Sequence, residues 1–512
     1  MLGARRNHTI IPAIVLAATA LVAGCGGDAA EQATLRFALA ASPVTLDPRL
    51  ATDAASTRIN RLLYQQLVDF DERFEPRPAL ATWQRVGDLR YRFELGEPMP
   101  RFHDGRVLTA ADVEATYESV LDPAFGSPHR AGLDMIERIE VRDARTVDFV
   151  LSEPDPLFPG RLVFGILPAE EIRAGRDFAR SPLGSGPFRF VAWPNEDRLL
   201  VERRADGQVV EFVRVANPTV RVLKLVRGEV DMLQGDLPFE LVEWLRARGE
   251  VEVRTHRGTN FAYLGFNMDD AVVGKRSVRR AIAHAIDREA IIHYVLGDAA
   301  RAANAILTPD HWAGHPGLEA IDYDPERARA LLAEAGFDAE HPARIVYKTS
   351  SDPFRVRIAT ILQEQLGRVG VEVDLQSYDW GTFYADVKAG RFQMYSLAWV
   401  GIKMPDIFRY ALYSESTPPE GANRGRFRSP QADALMDLAD RAATLEEQAV
   451  LYRRLQELLL AELPYVPLWY EDQIFASRRG LAGYTLSADG NYDGLTTVER
   501  GMRAARSVHG TG

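Results

Sequence analysis

Apolar and polar residues alternate through Thr34-Leu35-Arg36-Phe37-Ala38-Leu39-Ala40 and again through Leu89-Arg90-Tyr91-Arg92-Phe93-Glu94-Leu95. That period of two predicts strands with one face in a core. Between them, Ile59, Leu62, Leu63 and Leu67 have helical spacing over residues 56–67, and Thr109-Ala110-Ala111-Asp112 carries the spacing of an N-terminal capping arrangement. Val141 to Leu151 gives one further strand, around Thr146-Val147-Asp148-Phe149-Val150. Ser277 is placed to cap a helix in which Val278, Ala281, Ile282, Ala285 and Ile286 form a single apolar stripe. Asp324-Pro325 is a helix start and Gly336 its stop, since Asp accepts free N–H groups while proline fits the first helical position. A strand at Arg344-Ile345-Val346-Tyr347, a helix over 355–368 and a strand at 371–375 follow, then helices near 430–441 and 445–461. This alternation predicts an α/β lobe between about 268 and 470.

One stretch stands apart. Phe392 to Trp399 is apolar and strand-like, and it runs into Val400-Gly401-Ile402-Lys403-Met404-Pro405-Asp406, a loop punctuated by glycine and proline that carries two opposite charges. A strand that delivers such a loop makes a suitable wall for a binding site, because the strand fixes the loop while the loop exposes backbone and side chains.

The chain has 512 residues, too many for one ordinary core, so two or three lobes are expected. A net charge of -11 argues against nucleic acid as a partner over the surface as a whole. The single cysteine, Cys25, excludes an intramolecular disulfide and any cysteine-rich metal site. Arg5-Arg6 precede an apolar run from Ile10 to Ala23 that has the length of an export signal rather than a membrane span. Leu21-Val22-Ala23-Gly24-Cys25 looks like a bacterial lipoprotein processing box, with acylation expected on Cys25. The mature body is therefore expected outside the cytoplasm, held at a membrane surface by lipid.

The chain contains no His-Glu-x-x-His, Walker loop, calcium loop or dinucleotide fingerprint. Gly184-Ser185-Gly186 is not a nucleophile elbow, so Ser185 has no claim to be a nucleophile. His103-Asp104 reads as a structural turn. His311 and His315 come closest to a metal pair, but the surrounding Pro309, Gly314, Pro316 and Gly317 deny them a shared helical face. No enzyme activity, cofactor or metal is expected.

Several weak motifs recur in a telling order. Thr45-Leu46-Asp47-Pro48 comes first, then Phe102-His103-Asp104-Gly105 leading into Leu108-Thr109-Ala110-Ala111-Asp112-Val113. Pro182 to Phe190, Arg227-Gly228-Glu229-Val230-Asp231, Gly265-Phe266-Asn267 and Ser277 to Arg288 follow. Together, behind a lipoprotein leader, they resemble the family 5 extracellular solute-binding proteins, the oligopeptide-, dipeptide- and nickel-binding components of bacterial ABC importers.

The resemblance implies an α/β, periplasmic binding protein-like fold of the large type II (cluster C-like) kind, with two hinged α/β lobes and an additional inserted domain. The implied layout is a signal peptide over 1–24 and a lipidated tether over 25–33. The first lobe takes 34–65 and 182–267, the inserted domain 66–181, and the second lobe 268–470. Residues 471–512 return to the first lobe and end in a tail. The implied partners are a short peptide or other small molecule and an inner-membrane ABC permease, with the protein acting as a monomer. Trp399, Val400 and Gly401 become the expected contact points of the cleft wall, with Trp380 and Tyr384 as further aromatics. Peptide-binding relatives place an amine-binding Asp where this chain has Ile402, so Asp406 is the nearest substitute acid and Lys403 is suited to a carboxylate or phosphate-like group. A non-peptide metabolite or anionic solute is the alternative ligand, and a secreted hydrolase the remote one. Asn423 is either a ligand hydrogen-bond donor or a turn former, and Arg424 and Arg409 are weaker cleft candidates.

Overall fold

A computed structural model describes residues 34–500 except 236 and 420; the expected signal peptide, tether and Cys25 lie outside the described residues. One large sheet of eleven strands organises the molecule. Its order from one edge is Val371–Tyr378, Ala343–Ser350, Met394–Trp399, Val251–Phe266, Tyr465–Arg478, Met232–Gln234, Leu35–Leu39, Val209–Arg214, Arg198–Arg203 and Phe188–Asn195, with Ala300–Ala302 added against Tyr465–Arg478. The strands flanking the middle belong to two lobes, and the two long antiparallel strands in the centre are shared by both. Val251 pairs with Arg478 at one end of that ladder and Gly265 with Tyr465 at the other.

The shared ladder loses its regular register between His256 and Asn260. There Gly258 lies so close to the partner strand that a Cβ would sit 2.1 Å from the Glu471 carbonyl oxygen. The Asp472 carboxylate accepts from the Gly258 N–H at 3.2 Å, and Arg301 donates to the Gly258 carbonyl at 2.7 Å. A bulge is where a ladder bends most readily, so this crossing is the natural hinge between the lobes.

Alternation along the shared strand builds two different cores in the second lobe. Ala262, Leu264 and Phe266 face Val278, Ala281, Ile282 and Leu362. Phe261 and Tyr263 face the opposite way, toward Tyr395, Phe408, Tyr452 and Leu455. In the first lobe, Leu35, Phe37 and Leu39 pack with Ile59, Leu62, Phe212 and, from the chain's far end, Tyr484 and Tyr492. A separate four-stranded sheet, ordered Ala81–Arg85, Arg90–Leu95, Thr146–Leu151 and Ile136–Val141, packs helix Ala110–Leu121 and its own core around Phe93, Tyr117 and Phe149.

Two local expectations change. The helix predicted over 56–67 spans Ala54–Leu63, capped by the Asp53 carboxylate accepting from the Ser56 N–H, and Leu67 lies in the core of the four-stranded sheet instead. The strand expected around Thr146 to Val150 forms as Thr146–Leu151, the second arm of a hairpin in which Asp143 accepts the N–H groups of Arg145 and Thr146 and reverses the chain. Helix Arg276–Ala285 starts before Ser277, with Lys275 at its cap position. Here the Val278 and Arg279 N–H groups donate to the Lys275 carbonyl, and the Arg279 guanidinium reaches back to the carbonyls of Val273 and Gly274 and holds the preceding turn. The Thr109–Asp112 capping box and the Asp324-Pro325 start are present as predicted.

Candidate functional site

A cavity of about 1070 Å³ lies where the lobes and the smaller sheet meet. Arg61 comes from the first lobe, Phe70 and Glu72 from the start of the smaller sheet's segment, Thr255 to Thr259 from the hinge strand, Arg301, Asp310 and Lys403 from the second lobe, and Ser487 and Asp489 from the C-terminal segment. Arg61 ties its wall together by pairing with Asp69 and Asp493, each at 2.8 Å. A second cavity of about 440 Å³ opens beside Ala40, Gly235 and Asp352, just past three strand ends, with Asn260 and Gln473 of the hinge strands beside them. Crevices beyond the carboxyl ends of parallel strands are where open α/β sheets bind ligands.

The loop after Trp399 reaches across this region. Val400 is 55% exposed, and Gly401 holds φ at +72°, a conformation that spares only glycine a steric cost. Ile402 is buried. Lys403 Nζ pairs with Asp489 Oδ2 at 2.7 Å, linking the second lobe to the C-terminal segment that packs on the first. Ser487 and both the backbone and side-chain N–H groups of Asn491 also donate to Asp489. Burial pushes the Asp489 carboxyl up, but Lys403 and these hydrogen bonds outweigh it and hold it down at about 2. Lys403, expected to meet a ligand anion, is thus answered by a carboxylate of the protein itself.

Asp406 has a comparable partner. Arg161 Nη1 donates to it at 3.0 Å while Arg161 Nε holds Asp155 at 2.6 Å. Burial pushes the Asp406 carboxyl up and Arg161 partly offsets this. Gly160 makes the approach possible, since a Cβ there would lie 2.5 Å from the Met404 sulfur. His311, one of the two histidines weighed as a metal pair, instead lies buried against Phe74, with Nε2 3.1 Å from the Lys403 carbonyl oxygen and Nδ1 accepting from the Ala313 N–H. Burial brings its pKa down to about 4. Among the described residues, no group of three or more His, Cys, Asp or Glu side chains could hold a metal ion.

The aromatic candidates converge. Trp380, 58% exposed, stacks on Tyr384 at 5.3 Å between centroids, and both ride on helix Trp380–Lys388. Tyr384 Oη accepts from Arg424 Nη2 at 3.2 Å, and the Arg424 guanidinium carbon sits 4.9 Å from the centroid of the Trp399 ring. Asn423 is 1% exposed, its amide nitrogen donating to the Tyr413 and Phe427 carbonyls and its amide oxygen accepting from the Phe427 N–H. The amide is spent on a turn, and that turn places Arg424. Arg409 pairs with Asp437 and Asp440 on neighbouring helix Pro430–Asp440.

Asp489, Arg161, Tyr263 and Tyr465 were not singled out by the sequence. Arg161 and Asp406 meet across a separation of 245 residues, and no local pattern announces such a pair.

The model for "Bacterial extracellular solute-binding proteins, family 5 Middle" matches residues 73–420. The chain is 24% identical to the oligopeptide-binding protein AppA of Bacillus subtilis over 86% of its own length and 87% of that protein. It is 28% identical to di/tripeptide-binding protein 2 of Pseudomonas aeruginosa over 80% of its length and 84% of that protein's. Among solved structures, the ABC transporter-associated periplasmic binding protein DppA of Helicobacter pylori, in complex with the peptide STSA, superposes with a TM-score of 0.76 at 26% identity, covering 92% of this chain and 99% of that one. Family 5 binding proteins are periplasmic or extracytoplasmic, and among the described residues no helix is long and apolar enough to cross a membrane. With the match spanning more than half of its length, this chain belongs to the bacterial extracellular solute-binding proteins of family 5.

Proposed function

We propose that this solute-binding protein captures a short peptide or peptide-like molecule between its lobes and delivers it to the permease of an ABC importer, as a monomer and without catalysis. The observation that carries this reading is the 1070 Å³ cavity walled by both lobes and bridged by the Lys403–Asp489 pair. A cavity of that size suits a ligand of a few residues. Closure around such a ligand is a two-state hinge motion, and ligand contacts with both walls favour the closed form. In this reading 66–181 is the inserted domain, 34–65 and 182–267 build the first lobe with 471–512 returning to it, and 268–470 is the second lobe. Lys403 brings the loop that follows Trp399, Val400 and Gly401 to the cavity wall, while Glu72 and Asp310 supply carboxylates for a ligand amine that Ile402 cannot meet. Cys25, after signal peptide removal, carries the lipid that keeps the protein at the membrane.

Mass spectrometry of the solute released from gently purified protein is the direct test. Recovery of short peptides supports the reading; recovery of a non-peptide metabolite alone sinks it. Calorimetry with free and N-acetylated forms of a recovered peptide then tests the carboxylate partners, since acetylation removes the ammonium they would hold. Metabolic labelling with an alkyne fatty acid is expected to mark the wild type and not Cys25→Ser, and equal labelling of both would remove the anchor.

A further inference from the structure

Arg424 is 8% exposed and carries a full positive charge, yet no carboxylate pairs with it among the described residues. Its electrostatic neighbours are the phenols of Tyr263, Tyr395, Tyr465 and Tyr384. Nη1 donates to Tyr263 Oη at 3.3 Å and Nη2 to Tyr384 Oη at 3.2 Å, and the planar group lies over the Trp399 and Tyr384 rings at 4.9 and 5.4 Å from their centroids. Around it, the hydroxyls of Tyr395 and Tyr465 and the indole N–H of Trp399 are buried, and their polar neighbours are only one another, Tyr263 and Arg424, at poor hydrogen-bond geometry.

The chemistry of this cluster is lopsided. Arginine and indole bring donors only, and each phenol adds another donor; the only acceptors are the phenol oxygens. Several donors compete for too few lone pairs around a cation removed from water, an arrangement that costs free energy until an anion supplies both charge and acceptor atoms. The cluster is joined to the large cavity through one loop: Trp399 ends its strand and leads through the exposed Val400-Gly401 backbone to Lys403, which lines the cavity, while Trp380 and Tyr410 leave the outer aromatic edge of the cluster open to solvent.

We propose that Arg424, with Trp399 and Tyr384 as its aromatic jaws and Tyr395 and Tyr465 as further donors, is an anion-recognition subsite in the second-lobe wall, taking a carboxylate or similar small oxyanion. The anion is either an acidic group of the captured solute, which rests on the import reading above, or a free ion. The planar fork of the guanidinium selects a bidentate acceptor.

Two measurements on the full chain decide. In the first, crystals are soaked in sodium bromide, and an anomalous peak is expected at the Arg424 guanidinium of the wild type and not in Arg424→Gln. In the second, tripeptide libraries with free or amidated carboxyl termini are incubated with the protein, separated by gel filtration, and the retained peptides counted by mass spectrometry. If the solute supplies the anion, the wild type prefers the free library by about tenfold, the factor expected for one charge-assisted hydrogen bond, and Arg424→Gln brings the ratio near one. A bromide peak without a carboxylate preference assigns the subsite to a free ion. Neither a peak nor a preference, or a preference unchanged in Arg424→Gln, overturns the proposal. Retention of neither library removes the peptide reading alone; the subsite then stands on a bromide peak lost in Arg424→Gln and falls without one. Should Arg424→Gln fail to fold, Tyr384→Phe is read in its place, with the same ratio and peak expected to weaken and an unchanged ratio and peak overturning the proposal.

Discussion

Lys403, Arg279 and Arg424 are all cations of the second lobe, drawn to different depths from water, and their charges are met in different ways. Lys403 is answered by Asp489, and Arg279 by the carbonyls of Val273, Gly274, Glu462 and Leu463. Arg424 has phenols and ring faces instead. Arg279 joins the start of helix Arg276–Ala285 to the end of helix Leu445–Glu462, so its role is to hold the lobe together. Lys403 reaches toward the C-terminal segment, so its role concerns closure. Arg424 joins no two elements through a carboxylate or a helix end, and its donors are left in excess. A buried charge satisfied by carbonyls holds two elements together, whereas Arg424, short of acceptors, is the one proposed to meet an anion.

The contrast can be broken most severely at Arg279. Arg279→Ala strands several carbonyls and is expected to cost about 3 kcal/mol or more in chemical denaturation, with Arg424→Gln costing about half as much or less. Equal costs would erase the distinction between an architectural and a ligand-facing arginine. Gly258→Ala comes next: its Cβ would strike the Glu471 carbonyl, and an expected loss of about 1–3 kcal/mol should be accompanied by a changed open-to-closed balance in small-angle scattering. A stability loss with unaltered closure would show that the crossing is rigid rather than a hinge.

The Lys403–Asp489 pair should respond to acid. Asp489 has its pKa depressed to about 2 in the folded chain, below the usual carboxylate value near 3.9. Its stabilising contribution is therefore complete above about pH 4 and is lost as pH falls toward 2. Asp489→Asn is expected to remove that part of the acid dependence and to cost about 1–2 kcal/mol at neutral pH. A pH profile unchanged by Asp489→Asn would detach the pair from stability. The smallest effect is expected at Gly401, where open space surrounds the position and only the left-handed backbone resists a side chain. Gly401→Ala should cost about 1 kcal/mol by thermal unfolding, and a much larger loss would mean that the loop is packed more tightly than its exposure indicates.

Much of the fold was legible because it rests on short-range patterns. Alternation at Leu35–Leu39 and Arg90–Leu95, the capping box at Thr109 and the Asp324-Pro325 start are all decided within a few residues, and each formed. The errors arose where local chemistry competes. Ser277 had the residue type of a cap, but the helix begins at Arg276 and takes Ser277 into its first turn. Leu67 had the spacing of a helical stripe, but it was wanted in another core. In the cleft wall, the strand ending at Trp399 was readable, and so was the departure at Ile402. The fates of its neighbours were not, because Asp489, Arg161 and Tyr465 reach them only through the fold.

By itself, then, the sequence determined the family, the α/β lobes and the strand that presents Trp399, Val400 and Gly401, since these follow from periodicity and from motifs held within short stretches of chain. Only the tertiary structure decided that Lys403 and Asp406 carry internal partners, that Asn423 is consumed by a turn, and that Arg424 stands among donors without a carboxylate. Whether a charge is free to meet a ligand depends on what lies within a few ångströms of it, and in a chain folded through a shared central ladder those neighbours come from other elements, as far as 245 positions away.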